Sequence, residues 1–208
     1  MDSLNSLRLT PQDGFVHPFR HAGEFTYSAL AFDFGEPLES GIIIVGGEPA
    51  PLGKGTQHDV VLHWDQTLQR FVPRESDGKL TLRPNDFVVF HFDVAVPGQP
   101  TCFILIREKG TVEADSRRLK THQVFTHFFF SPGEYAYRLG AATYRISVAD
   151  HRSLSEQERQ QPNRPLVIRV NDDKVSVPLA RLVAGQSAIW VIDQGEGLHI
   201  QAVPESIS

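Results

Sequence analysis

The chain has 208 residues, 40% hydrophobic and 22% charged, the proportions of an ordinary globular protein with room for one large or two small cores. A net charge of −5 argues against a nucleic-acid binder, which carries a basic stripe. Apolar runs such as Gly41–Val45 and Phe128–Phe130 are far too short to span a bilayer.

Cys102 is the single cysteine, so no intrachain disulfide forms, and a reducing compartment is implied. Met1-Asp-Ser-Leu-Asn5 has no basic start and no apolar run behind it, unlike a signal peptide. The expected location is the cytoplasm, with the mature form of an exported protein left open. Fourteen phenylalanines and fourteen prolines against one methionine point to sheet cores with many turns.

In chain order, Phe15-Val-His17-Pro-Phe19-Arg-His21-Ala-Gly23-Glu24-Phe25-Thr-Tyr27 comes first. It returns 110 residues later as Phe125-Thr-His127-Phe-Phe129-Phe-Ser-Pro-Gly133-Glu134-Tyr135-Ala-Tyr137. A pattern F-x-H-x-F-x-x-x-G-E-[FY]-x-Y kept in register marks a repeated structural unit. Residues 46–55, rich in glycine and proline, read as a linker. Asp59–Trp64, Lys79–Leu82, Phe87–Phe92 and Cys102–Ile106 are β-branched or aromatic runs bounded by turn residues, hence strands. Ser153–Gln161 reads as a short linker helix, with Ser153 and Glu156 at capping-box spacing and Pro162 behind it.

A second internal match sets Val60–Leu62 beside Leu166–Ile168, and Phe71–Pro73 beside Val175–Pro178. At an offset of 100 it sets Leu82–Phe90 beside Leu182–Trp190. The chain then reads as half, whole and half: residues 1–47 as the C-terminal half of a β-sandwich, 57–150 as a complete one, and 165–208 as an N-terminal half. A half sandwich exposes its core face and edges, so the outer halves must complete one another. They do so within one chain, or head to tail between neighbours.

The ending of the unit carries a resemblance. An aromatic strand, then Pro132-Gly133-Glu134-Tyr135-Ala-Tyr137, then the closing strand Tyr144–Val148, resembles the cupredoxin fold, a Greek-key β-sandwich. Leu82–Phe90 is similar to that family's turn and strand before its first histidine ligand. The resemblance implies an all-β chain of two cupredoxin-like sandwiches, one of them discontinuous. The family places its copper-binding cysteine after the G-x-Y-x-Y strand, with the second histidine close behind. Here Leu139 and about Ala29 occupy the cysteine position, and neither 140–143 nor 30–40 contains His, Cys or Met. A type-1 copper site needs two imidazoles and a thiolate, so the resemblance brings no copper and no other cofactor.

Of nine histidines, His17 and His21 are four apart and would share one face of a continuous strand, with His199 as a third donor after completion of the split module. These three are the candidate metal ligands, for copper or zinc. Their spacing lacks the closeness of a zinc motif. No nucleophile elbow, phosphate loop or H-E-x-x-H occurs, so no catalytic residue is assigned. Cys102 lies in an apolar strand as a buried thiol. Glu24 and Glu134 read as solvated or pairing locally, and Arg117-Arg118-Leu-Lys120 as a solvated basic face or, second, a surface for an acidic partner. Trp190 should lie in the core, and Trp64, at a strand end, should be partly exposed. The function expected is a non-catalytic structural or adaptor subunit of a larger assembly, binding proteins or its own copies through sheet edges. The alternative is a metal or small-ligand binding module.

Overall fold

In a computed structural model, residues 4–31, 40–74, 78–93, 99–154, 156 and 164–203 are described. The protein is all-β and divides into two compact units, residues 8–118 and residues 119–208 together with 1–7.

The first unit contains β1 (Asp13–Pro18), β2 (Gly23–Ala31), β3 (Gly41–Val45), β4 (Gln57–Asp65), β5 (Arg70–Pro73), β6 (Lys79–Leu82), β7 (Phe87–Phe92), β8 (Cys102–Glu108) and β9 (Thr111–Asp115). Alternation builds these strands. In β7, Val88, Phe90 and Phe92 turn inward while Phe87, Val89 and His91 remain half-exposed. One sheet forms from β1 antiparallel to β7, β7 parallel to β4, and β4 antiparallel to β5. The other forms from β6 parallel to β3, β3 antiparallel to β2, β2 to β8, and β8 to β9. Aromatic rings join the two: Tyr27 of β2 meets Phe90 of β7 edge-on at 5.3 Å.

The second unit contains β10 (Val124–Phe129), β11 (Gly133–Leu139), β12 (Ala142–Ala149), β13 (Leu166–Asn171), β14 (Lys174–Val175), β15 (Leu179–Val183), β16 (Gln186–Gln194) and β17 (Ile200–Ala202). Its pairing repeats the first unit's, the β8–β9 pair excepted. The pairs β10–β16 and β13–β14 are antiparallel and β13–β16 is parallel. In the second sheet β11–β12 and β11–β17 are antiparallel and β12–β15 is parallel. The core repeats as well. Phe15 pairs with Phe90 as Phe125 pairs with Trp190, and Tyr137 meets Trp190 edge-on at 5.5 Å.

The strands predicted around Asp59–Trp64, Lys79–Leu82, Phe87–Phe92 and Cys102–Ile106 are present, and residues 46–55 join β3 to β4. Trp190 is fully buried and Trp64 half-exposed. The division differs from half, whole and half. Residues 8–47 pair with 57–115, and 124–149 pair with 166–202. The segment 119–150, assigned by sequence to the module 57–150, thus completes 165–203 instead. Since β1 and β10 present the same F-x-H-x-F face, sequence similarity cannot tell which copy completes which half. The alignment of Val60 with Leu166 is also two residues off: Val60 pairs with Phe90, and the residue opposite Trp190 is Ile168. A two-residue slip keeps every side chain on its face, so alternation does not detect it. Where the linker helix Ser153–Gln161 was expected, a single 3-10 turn, His151–Ser153, overlaps only its first residue; its N-cap Asp150 accepts from the Arg152 amide. Most of the remainder lies outside the described residues.

Candidate functional site

The repeated histidine belongs to the packing. His17 on β1 is 4% exposed and meets Phe19 edge-on at 4.9 Å, and Phe19 meets Phe25 at 5.0 Å. On β10, His127 is fully buried, with Phe129 at 4.6 Å and Phe129 with Tyr135 at 4.9 Å. In each unit a buried imidazole thus takes one place in a row of rings reaching the following strand.

His21 does not share that face. The strand ends at Pro18, so the even spacing from His17 no longer fixes orientation, and His21 lies in the turn before β2. There it is exposed, with Nε2 3.2 Å from Glu108 Oε2 and its ring 5.5 Å from Phe25. His199 lies in the second unit, half-exposed, immediately before β17. Among the described residues no group of three His, Cys, Asp or Glu is arranged to hold a metal ion.

Cys102 is completely buried, and that burial, with the charge of Asp13, pushes its thiol well above the ordinary range. A thiol so held is a poor nucleophile. Burial likewise raises the Tyr137 hydroxyl to about 12. Glu24 and Glu134 are exposed, as expected. The basic cluster is not uniformly solvated: Arg117 pairs with Asp115 at 2.7 Å and lies 3.8 Å over the Phe103 ring. A recess in the first unit, lined by Tyr27, Asp59, Pro73 and Lys79 among others, holds about 20 Å³, space for one water.

Polar side chains also lock several turns, a feature that sequence inspection passed over. Before β7, the carboxylate of Asp86, 2% exposed, accepts the Thr56 amide at 2.8 Å and the Arg83 amide at 3.0 Å. His58 Nε2 lies 3.5 Å and Arg83 Nε 3.6 Å from the same carboxylate. Burial pushes the Asp86 carboxyl up. The two amides, Arg83 and His58 more than offset this and hold it below its ordinary value. Before β16, Gln186 Oε1 accepts the Val183 amide at 2.8 Å. The turns before β1 and β10 use the same device: Asp13 accepts the Thr10 amide at 2.7 Å, and Gln123 accepts the Lys120 amide at 3.0 Å. The signal was present in the sequence, since Asp86 aligns with Gln186 and Asp13 with Gln123 in the two repeat registers.

No protein-family model matches the chain, nor does any curated protein or solved structure. No helix among the described residues is long and apolar enough to cross a membrane.

Proposed function

We propose that this chain is a non-catalytic structural or adaptor protein, a subunit of a larger assembly built on two cupredoxin-like modules that lack the copper-ligand loop. One observation carries the reading. β11 and β12 pair from Gly133–Val148 down to Leu139–Ala142, so Gly140 and Ala141 alone make the turn. Gly140 adopts φ 59°, as a tight hairpin demands. In the family, this is where the cysteine and the second histidine follow the aromatic strand. In the second unit a two-residue turn keeps the scaffold and leaves no length for the ligands; in the first, the corresponding stretch 30–40 contains no His, Cys or Met.

Further support comes from the repeated pairing and repeated aromatic rows, which direct the strongest chemistry of both units into their cores. What faces solvent includes sheet edges and scattered apolar side chains, such as Phe130 (58% exposed) and Leu179 (58% exposed). Sheet edges are a common basis for protein association. Fold likeness alone does not establish function, so the test is physical. Solution mass across a concentration series, with affinity capture from a native lysate, should show self-association or a stable protein partner. A chain that stays monomeric at high concentration and captures nothing overturns the proposal. Metal retained through native purification and lost in the His17→Ala/His21→Ala variant would favour the metal-binding alternative instead.

A further inference from the structure

The second unit is extended at one edge by a segment from the far end of the sequence. Asn5 bridges Gln201 antiparallel, beside β17. The Ser6 amide donates to the Ile200 carbonyl at 2.8 Å, and the Ala202 amide to the Leu4 carbonyl at 2.7 Å. The Ile200 amide donates to Ser6 Oγ at 2.9 Å, across 194 residues of chain. Leu4 and Ser6 are both completely buried. From Arg8 onward the chain belongs to the other unit.

The first unit holds the same junction, made from neighbouring sequence. Ser116 donates its amide to the Ile104 carbonyl at 3.0 Å, and Ser116 Oγ accepts the Ile104 amide at 3.0 Å, across 12 residues. Leu4-Asn5-Ser6 and Ala114-Asp115-Ser116 stand at the same 110-residue offset as the F-x-H-x-F repeat. The two junctions therefore have one chemistry and differ in how the strand is delivered. In the first unit, β8 leads through the Lys109-Gly110 turn into β9 and on to Ser116. In the second, the strand comes from the far end of the sequence.

We propose that segment 4–6 is an exchangeable strand, and that the edge of β17 accepts it from a second copy of this chain. The occupant is a second copy because the groove is matched to this segment: a buried leucine, a buried serine whose hydroxyl answers the Ile200 amide, and antiparallel backbone pairing. Delivered by a neighbour, the segment makes the same contacts with the same groups. Only effective concentration, on the order of mM for a tethered segment, favours closure within one chain. Exchange is heterologous, so copies couple head to tail. The inference rests on the scaffold reading above and names one of its contacts.

Two versions of the full chain test it. Leu4→Asp with Ser6→Pro disables the exchanged segment, and Ala202→Pro removes from the receiving edge the amide that donates to the Leu4 carbonyl. Each alone should run at the mass of one chain; mixed, they should give a species of twice that mass by light scattering. Should Ala202→Pro fail to fold, a fluorescein-labelled peptide of residues 4–10 titrated into the Leu4→Asp/Ser6→Pro chain decides. Saturable binding, lost when the peptide carries the same two substitutions, supports exchange. An unchanged mass in a folded mixture, or no peptide binding, overturns it. The scaffold reading would then still be open to lysate capture through another surface.

Discussion

Asp86 couples the first unit's stability to pH. Its carboxyl is held below the ordinary value when folded, so between the folded and unfolded values the unfolded chain binds the extra proton. The contribution is complete above the unfolded value of about 4 and is lost as pH falls through the lower folded value. Denaturant midpoints should therefore drop as pH is lowered below about 4, and Asp86→Asn should flatten that drop. Asp86→Ala leaves the Thr56 and Arg83 amides without their acceptor, at about 1–3 kcal/mol for each stranded group. Equal midpoint slopes for wild type and Asp86→Asn would show that the acid response arises elsewhere. Trp190 acts through packing instead. It is fully buried between Phe125 and Tyr137, so Trp190→Ala should cost about 3–5 kcal/mol. Trp190→Phe should cost less, because Phe90 fills the equivalent place in the first unit.

At the scale of elements, the linker between β3 and β4 is anchored to the turn before β7. The Ala50 amide donates to the Pro84 carbonyl at 2.9 Å, and Asn85 Nδ2 donates to the Ala50 carbonyl at 2.7 Å. Gly55 passes so close that a Cβ there would fall on the Asn85 carbonyl. Gly55→Ala should therefore move the linker or the turn, lowering stability by about 1–3 kcal/mol, read as a shift in denaturant midpoint. A neutral result would mean that the linker is free to move aside. Glycine-rich composition marked this stretch as a linker, but nothing local announces that its middle is bonded to residue 85. Strands were legible for the opposite reason: alternation in Phe87–Phe92 is a local property of the chain. His17 and His21 failed as a pair because their even spacing holds only while the strand lasts, and Pro18 ends it.

At the scale of the whole molecule, the repeat was legible and its assembly was not. The outer and inner copies of F-x-H-x-F are interchangeable in chemistry, so which completes which is decided by chain connection and long-range pairing. The two units have diverged most tellingly at their turn locks. The first uses the carboxylates Asp13 and Asp86, where the second uses the amides Gln123 and Gln186. An amide accepts the same backbone hydrogen bond and does not titrate. Acid should therefore loosen the first unit at a higher pH than the second. The two tryptophans report on them separately, Trp64 on the first and Trp190 on the second. In Trp190→Phe and Trp64→Phe chains titrated from pH 6 to 2, emission of the remaining Trp64 should red-shift before that of the remaining Trp190. Replacing the titrating lock, Asp86→Asn, should bring the two transitions closer together. Coincident transitions in the unmodified background would show that the locks do not set acid stability, and that the units unfold as one.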